Sequence, residues 1–269
     1  MTVVDSVPSF PDYFLSPDAV LQDDAKSWRF GRRPDYAKTR TAWRQTKLMN
    51  HTAGSLEELV ENVVKNWEIE ASHKTDATEW RTINHKLYEF RLNGGPPQPA
   101  EAMAKVGTYN ALLYPSEYYS PEHNDFASSH KTFKRMMPTF AWEVLEVYGG
   151  PPKVAFKWRH WGTFQGDYTA LNDKGEKVTI KKTGKVIDLR GMTTATLDDQ
   201  LRLTSVDVYF DPMDMFRQMD EARADLAGDQ QKAGDGVDAM AKQIAACPFL
   251  SAQTACREHA ETNATAPAN

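Results

Sequence analysis

The chain has 269 residues, 41% hydrophobic and 26% charged, and its 12 Phe, 7 Trp and 10 Tyr indicate a globular protein with an aromatic-rich core. Its 32 basic and 37 acidic side chains give a net charge of −5, which excludes a global cationic field that would attract nucleic acid or an anionic membrane. No apolar run approaches the roughly 20 residues that cross a bilayer, and the first residues lack the basic start of a secretory signal. We therefore expect a cytoplasmic protein with neither nucleic acid nor membrane as partner.

Residues 1–50 carry scattered aromatic side chains among prolines and arginines. A disordered tail rarely carries so many aromatics, so we predict an extended arm that packs on the main body, with one short helix near 34–46. Ser55 and Glu58 then form a capping-box pattern at the start of a long helix. The apolar residues of this helix recur on one face: Leu56, Leu59, Val60, Val63, Val64 and Trp67.

A strand and two more helices are expected before the sheet proper. The stretch 80–93 has the pattern of a strand and ends in a Gly-Gly-Pro-Pro turn. Helices are predicted over about 99–113 and 126–137, and Pro138 stops the second of them.

After Pro138 the hydrophobic period changes from 3.6 to 2 residues, which is typical of strands. Helices followed by an antiparallel meander predict an α+β domain in which the helices pack on one face of the sheet. The predicted strands are 140–148, 154–165, 176–182 with a continuation to about 197, and 200–210.

The C-terminal segment has a different character from the rest. It is rich in alanine, so we predict a partly ordered helical tail over 220–269, after an arm over 1–50 and a main domain over 51–219. Cys247 and Cys256 lie in this tail and are too few for a disulfide framework. Metal-ligand spacings, a nucleophile elbow and a phosphate-binding loop are all missing from the sequence. We therefore expect no metal and no cofactor.

Five short segments carry a recognisable combination of residues: FKWRHWGTFQG at 156–166, VDVYFDP at 206–212, SHK at 72–74, GTYNALL at 107–113 and FAWEV at 140–144. Together they resemble the plant and fungal pathogen-related protein family, which groups with SnoaL-like polyketide cyclases in the nuclear-transport-factor-2-like superfamily. The resemblance covers roughly 10–219. It implies a cone-shaped, curved antiparallel sheet packed against N-terminal helices, and a homodimer formed through the outer sheet face.

The same resemblance implies a hydrophobic pocket on the concave face of the sheet. Relatives isomerise, cyclise, hydrate or dehydrate hydrophobic metabolites there by acid–base chemistry, and other relatives only bind, so the fold does not decide the function. SnoaL-like cyclases commonly carry a histidine at the position of Phe164 and an acid at the position of Val208. Both positions are apolar here, so that acid–base pair does not carry over.

Three ionisable side chains are candidates for the pocket. His160 is the one ionisable group on the aromatic face of its strand, and its imidazole can exchange a proton near neutral pH; the alternative is a structural histidine bonded through both nitrogens. His130 shares a helical face with Phe133 and Met137, or it is a partly exposed histidine of the helix start. Tyr109 can donate a phenolic hydrogen bond, or its ring belongs to the core.

Asp207 is the fourth candidate, and its position depends on the strand's register. The apolar face of this strand changes around 204–205, which a β-bulge would explain. If Val206 then faces the pocket, Asp207 lies on the outer face and pairs with Lys157 or Arg159.

The expected ligand wall consists of Trp142, Phe156, Trp158, Phe164, Val208 and Phe210. We expect a SnoaL-like protein of secondary metabolism that binds a hydrophobic, cyclic small molecule. If it is an enzyme, we expect acid–base catalysis by a cofactor-independent isomerase, cyclase or lyase. Whether the protein is an enzyme stays open. The alternatives are a non-catalytic binder and a dimeric interaction module linked to stress or defence. The module would use an exposed Trp161 beside Lys157 and Arg159.

Overall fold

The computed structural model describes residues 10–226 of the chain. The chain divides into two units between residues 223 and 224, and the sheet and the cavity described below belong to the first of them. The predicted tail over 220–269 lies outside the described residues from 227 onward, as do both cysteines.

Helices and strands alternate irregularly along the described chain. The helices are α1 (Asp12–Leu15), α2 (Ala37–Thr46), α3 (Leu56–His73), α4 (Ala100–Val106), α5 (Thr108–Leu112), α6 (Phe126–Met136) and α7 (Asp214–Leu226), with 3₁₀ turns at Ala19–Gln22 and Ala77–Glu79. The strands are β1 (Glu89–Leu92), β2 (Ala141–Gly149), β3 (Lys153–Thr163), β4 (Tyr168–Leu171), β5 (Lys177–Ile180), β6 (Val186–Leu197) and β7 (Leu203–Tyr209).

Five strands form one curved sheet in the order β1-β7-β6-β3-β2, with the N-terminal helices on one face. The fold is therefore α+β, as predicted. One pair differs from the expected meander, because β1 runs parallel to β7, with Phe90 opposite Val206. The chain between these two strands contains α4 to α6 and the rest of the sheet, and a connection of that length permits parallel pairing.

The strand predicted over 80–93 is wrong for most of its length, since only Glu89–Leu92 is extended. The preceding residues form turns instead. The N–H groups of Leu87 and Tyr88 donate to the carbonyl of Asn84 at 3.1 and 2.9 Å, and the side chain of Asn84 accepts the N–H of Lys86 at 3.2 Å. Local side-chain and backbone hydrogen bonds of this kind compete with strand pairing.

The single helix predicted over 99–113 is two helices, because Gly107 separates them. Gly107 has a φ of +84°, in the left-handed region that favours glycine. A Cβ at this position would come within 2.5 Å of the ring of Phe126. Gly107 therefore ends α4 and begins α5.

Two details of the sheet concern the strands after β3. The strand expected over 176–182 does not continue toward 197. It pairs with β4 in a separate two-stranded sheet, and Gly184 has a φ of +73° before β6 begins. The predicted bulge near 204–205 is confirmed, since consecutive residues of β6 pair with Leu203 and Ser205 and leave Thr204 as an extra residue.

The arm is held along α3 by two buried amides. The side chain of Asn66 accepts the N–H of Val20 at 3.0 Å and donates to the carbonyl of Tyr13 at 3.0 Å. Asn62 donates to the carbonyl of Phe14 at 2.9 Å. The short helix predicted near 34–46 is present as α2. Within the described residues no helix is both long and apolar enough to cross a membrane.

The long helix α3 begins where the capping pattern predicts. Ser55 accepts the N–H of Glu58 at 3.3 Å. The carboxylate of Glu58 accepts the N–H of Gly54 at 2.7 Å, one residue earlier than in a standard capping box.

Candidate functional site

A cavity of about 280 Å³ lies between α3 and the inner face of the five-stranded sheet. Residues of the arm and of α5, α6 and α7 also line it, and most of the lining is apolar. The volume is close to the lower end of the range for small-molecule sites, roughly 300–1,000 Å³. It suits a compact ligand of a few rings.

The sheet contributes an aromatic wall, to which five of the six predicted ligand-binding residues belong: Trp142, Phe156, Trp158, Val208 and Phe210. The indole N–H of Trp158 donates to the hydroxyl of Thr193 at 3.0 Å. The ring lies over Gly191 of the neighbouring strand, where any Cβ would overlap it. The hydrogen bond and this glycine together fix the indole against the sheet.

Phe164, the sixth residue, does not line the cavity, and that prediction is wrong. Strand β3 ends at Thr163, two residues earlier than predicted, so the alternation of faces does not extend to Phe164. The backbone of Phe164 then bonds to Lys185 and Gly184, each at 2.9 Å. Its side chain is fully buried in the core.

His160 lines the cavity from β3, and its imidazole stacks on Phe140 with ring centroids 3.5 Å apart. Neither ring nitrogen has a hydrogen-bond partner among residues 10–226. Burial, together with the positive charge of Lys134, lowers the pKa of His160 to about 3. The imidazole is therefore neutral at pH 7, with one donor and one acceptor nitrogen for a bound molecule.

Tyr109 lines the same cavity from α5. Its ring stacks on Phe133 with centroids 4.4 Å apart, and its hydroxyl has no hydrogen-bond partner within the described part of the chain. Burial and the negative charge of Glu68 raise the pKa of Tyr109. The phenol therefore stays protonated and can donate to an oxygen of a ligand.

Sequence reasoning missed several polar residues of the lining, among them Glu68 and Tyr36. Glu68 accepts the hydroxyl of Tyr36 at 2.8 Å and that of Ser72 at 3.0 Å. Glu68 follows Val64 by one helical turn, so its place on the apolar face of α3 was the available signal. Tyr36 comes from the arm, and no local pattern places an arm against a cavity.

Two further charged residues of the lining are held by partners. Arg40 of α2 lies 2.8 Å from Asp18, and Lys65 of α3 lies 2.6 Å from Glu61. Burial lowers the pKa of Lys65 to about 8 despite this carboxylate. Both cations are thus compensated within the chain.

Lys134 of α6 also lines the cavity, and sequence reasoning missed it too. Its ammonium lies 5.6 Å from the ring centroid of Tyr36. It has no ion pair or hydrogen bond with any residue that the structure describes. Lys134 lies one helical turn after His130, which was the signal that could have drawn attention to it.

His130 does not line the cavity. Its ring packs 5.3 Å from that of Phe126 and edge-on to His73 at 5.6 Å. Burial and the charges of Lys134 and Arg29 lower the pKa of His130 to about 4. The structure therefore places the two predicted catalytic histidines in different surroundings. In the described chain no group of three or more His, Cys, Asp or Glu side chains could hold a metal ion.

Asp207 lies on the outer face of β7, away from the cavity lining. Its carboxylate accepts the N–H of Gly94 at 3.1 Å and the hydroxyl of Tyr209 at 2.7 Å. The predicted pairing with Lys157 or Arg159 is wrong, because β6 lies between β3 and β7. Lys157 lies 3.6 Å from a glutamate of β2, and Arg159 pairs with acids of β2 and β6.

The predicted exposed surface around Trp161 is also wrong. Trp161 is buried, with 4% of its surface exposed, and its indole N–H donates to the hydroxyl of Thr46 at 2.8 Å. The guanidinium of Arg159 lies 4.2 Å from the indole centroid. The end of α2 covers this part of the outer sheet face.

A curated relative decides the family. Over 159 residues the chain is 35% identical to the pathogen-related protein of Hordeum vulgare, and the match covers 56% of this chain and 68% of that protein. The chain belongs to the pathogen-related protein family. No protein-family model matches it.

Solved structures of low sequence identity are also similar to the chain. IdmH of Streptomyces antibioticus, a candidate polyketide cyclase, is 13% identical with a TM-score of 0.35, over 59% of this chain and 96% of that one. A protein with a ketosteroid isomerase-like fold from Catenulispora acidiphila is 9% identical with a TM-score of 0.34, over 58% and 91%. Likenesses at this level carry no information about substrate or reaction.

Proposed function

We propose that this member of the pathogen-related protein family binds a hydrophobic, ring-containing metabolite in the cavity and abstracts a proton from it with His160. The observation that carries the proposal is the imidazole itself: it is neutral, stacked on Phe140 and without a hydrogen-bond partner among residues 10–226, and it lines an aromatic cavity. A structural histidine bonded through both nitrogens, the alternative raised by the sequence, does not match these contacts.

The environment of His160 limits the chemistry it can do. A pKa of about 3 makes the imidazole a weak base toward solvent, because burial and the charge of Lys134 both oppose an imidazolium. Proton transfer becomes favourable only if the ligand acquires a compensating negative charge, as an enolate does. The hydroxyl of Tyr109 can donate a hydrogen bond to such an oxygen. Isomerisation or cyclisation through an enolate is the reaction class that fits.

Deuterium exchange into an enolisable ring ketone tests this proposal. With 2-tetralone in D₂O, we expect the wild type to accelerate exchange at the α-carbon, and His160→Gln to reduce the enzyme-dependent rate by roughly 10²–10⁴. His130→Gln is the matched control, since it removes a half-buried imidazole that does not line the cavity. Equal loss in both variants, or unchanged exchange in His160→Gln, would contradict the assignment.

A non-catalytic binder is the second candidate function. It is favoured by the two apolar residues, Phe164 and Val208, at the positions where SnoaL-like cyclases carry their acid–base pair. Saturable binding of 2-tetralone without any exchange above background would establish this second function. A Val208→Trp variant, which fills the cavity from the sheet, should then abolish binding, whereas Val186→Trp on an exposed position should not.

A further inference from the structure

Charge is distributed unevenly around the cavity. Its lining contains the cations Arg40, Lys65 and Lys134 and the anion Glu68. Arg40 and Lys65 each have a carboxylate within 2.8 Å. Lys134 has no such partner in the described chain, and its ammonium lies 5.6 Å from the ring centroid of Tyr36.

Glu68 is not the ion-pair partner of Lys134, although it lines the same cavity. Both of its oxygens accept hydroxyl hydrogens, one from Tyr36 and one from Ser72. No ion pair within 4.0 Å joins Glu68 to Lys134 in residues 10–226. An ammonium in a largely apolar cavity is costly unless an anion or an acceptor accompanies it.

A second donor lines the same cavity. The hydroxyl of Tyr109 is protonated, and no described residue accepts its hydrogen. The lining therefore offers an anionic ligand two donors without a described protein acceptor, the ammonium of Lys134 and the phenol of Tyr109. Charge-assisted hydrogen bonds of this type are the stronger ones in proteins.

We infer that Lys134 forms an anion subsite in the cavity, so that the ligand is a compact hydrophobic ring system carrying one acidic oxygen group, a carboxylate or an enolate. This inference rests on the proposed function, because it assumes that the cavity binds a ligand. It goes further in assigning a charge to that ligand and a recognition role to a residue of α6. The anion would also offset the charge that Lys134 exerts on His160.

Two isosteric probes separate charge from shape. 2-Naphthoate and 2-naphthamide have the same ring system and nearly the same size, but only the first is anionic. By titration calorimetry at pH 7 we expect wild type to bind 2-naphthoate about tenfold or more tightly than 2-naphthamide. Lys134→Met should remove this preference and leave the affinity for 2-naphthamide within about twofold, which also shows that the cavity remains intact. Lys134→Arg should keep the preference.

Lys131→Met is the matched control, since it removes an exposed positive charge from the same helix. We expect it to bind both probes as wild type does. Equal affinity of wild type for the two probes, or a preference that survives in Lys134→Met, would overturn the anion subsite alone. If wild type binds neither probe, ligand binding in the cavity, and with it the proposed function, is overturned.

Discussion

His160 lies face to face with Phe140, with ring centroids 3.5 Å apart and ring planes 15° apart. Stacking on an apolar ring gives the imidazole packing contact but no hydrogen bond that would stabilise a proton. The charge of Lys134 adds to this effect, and the pKa of His160 is lowered from 6.5 to about 3. Burial and the charge of Lys134 thus keep the imidazole neutral, and this has a consequence for stability.

We expect acid to destabilise the protein through His160. Below pH 6.5 the unfolded chain takes up a proton at this histidine that the folded protein does not, so the free energy of unfolding falls as the pH drops toward about 3. The slope from this one residue is roughly 1.4 kcal/mol per pH unit. Urea denaturation of wild type and His160→Gln between pH 7.5 and 4.5 measures it, and the variant should show the shallower dependence.

Phe140→Leu is the control for this prediction. It removes the stacked ring but keeps the imidazole in the cavity wall. We expect a lower free energy of unfolding at every pH, with most of the pH dependence retained. If the slopes of wild type and His160→Gln are the same, His160 already carries a proton in the folded protein at mildly acidic pH.

The break between α4 and α5 gives a second prediction. Gly107→Ala places a Cβ against the ring of Phe126 at a φ of +84°, so both sterics and backbone conformation oppose it. We expect the free energy of unfolding to fall by about 2–4 kcal/mol. Gly54→Ala has a similar φ of +76° but open space around it, and should cost about 1 kcal/mol. Equal losses would show that the contact with Phe126 adds nothing.

The parts of the fold that follow from local pattern were predicted well. The periodic apolar face of α3, the alternation in β3 and the change of face at Thr204 all appear in the sequence, because each depends on residues close in the chain. The parallel pairing of β1 with β7 joins residues more than a hundred positions apart, and no local pattern records it. Turn-forming hydrogen bonds at Asn84 replace the first part of the strand predicted over 80–93. These bonds are local, but a hydrophobic pattern does not record them.

In the candidate site, too, the residues placed by a local pattern were predicted and those placed by tertiary packing were not. His160 and the aromatic wall follow from the alternation along β3 and its neighbours. Lys134 and Tyr36 reach the cavity from α6 and from the arm, whose positions depend on tertiary packing. Trp161 was predicted on the correct sheet face, but α2 covers it. The alternation along a strand thus shows which face a residue occupies, but not which element packs on that face.

The outer sheet face gives a third prediction. Met192 of β6 and Tyr209 of β7 are register partners and are 39% and 42% exposed. We propose that this face joins two copies of the chain, and we expect Met192→Lys to weaken the dimer by placing a charge in its interface. Sedimentation velocity at micromolar concentration measures this. Leu87→Lys, at a 59% exposed position outside the sheet, is the control. A monomeric wild type would contradict the proposal.

The last prediction concerns an ion pair between Glu70 and Lys74, one turn apart at the end of α3. Nζ of Lys74 lies 2.9 Å from Oε1 of Glu70, and both side chains are fully buried. Glu70 also accepts the N–H and hydroxyl of Thr82, so Lys74→Met would leave a hydrogen-bonded carboxylate without its cation. We expect the free energy of unfolding to fall by about 3–5 kcal/mol.

A second substitution separates charge from packing at this pair. Glu70→Gln added to Lys74→Met removes the unpaired charge and keeps an oxygen for Thr82, so it should recover part of the loss. Lys181→Met breaks an ion pair with Asp167 in which the lysine is 76% exposed, and should cost at most about 1 kcal/mol. If the double variant is less stable than Lys74→Met alone, the unpaired charge of Glu70 is not the source of the loss.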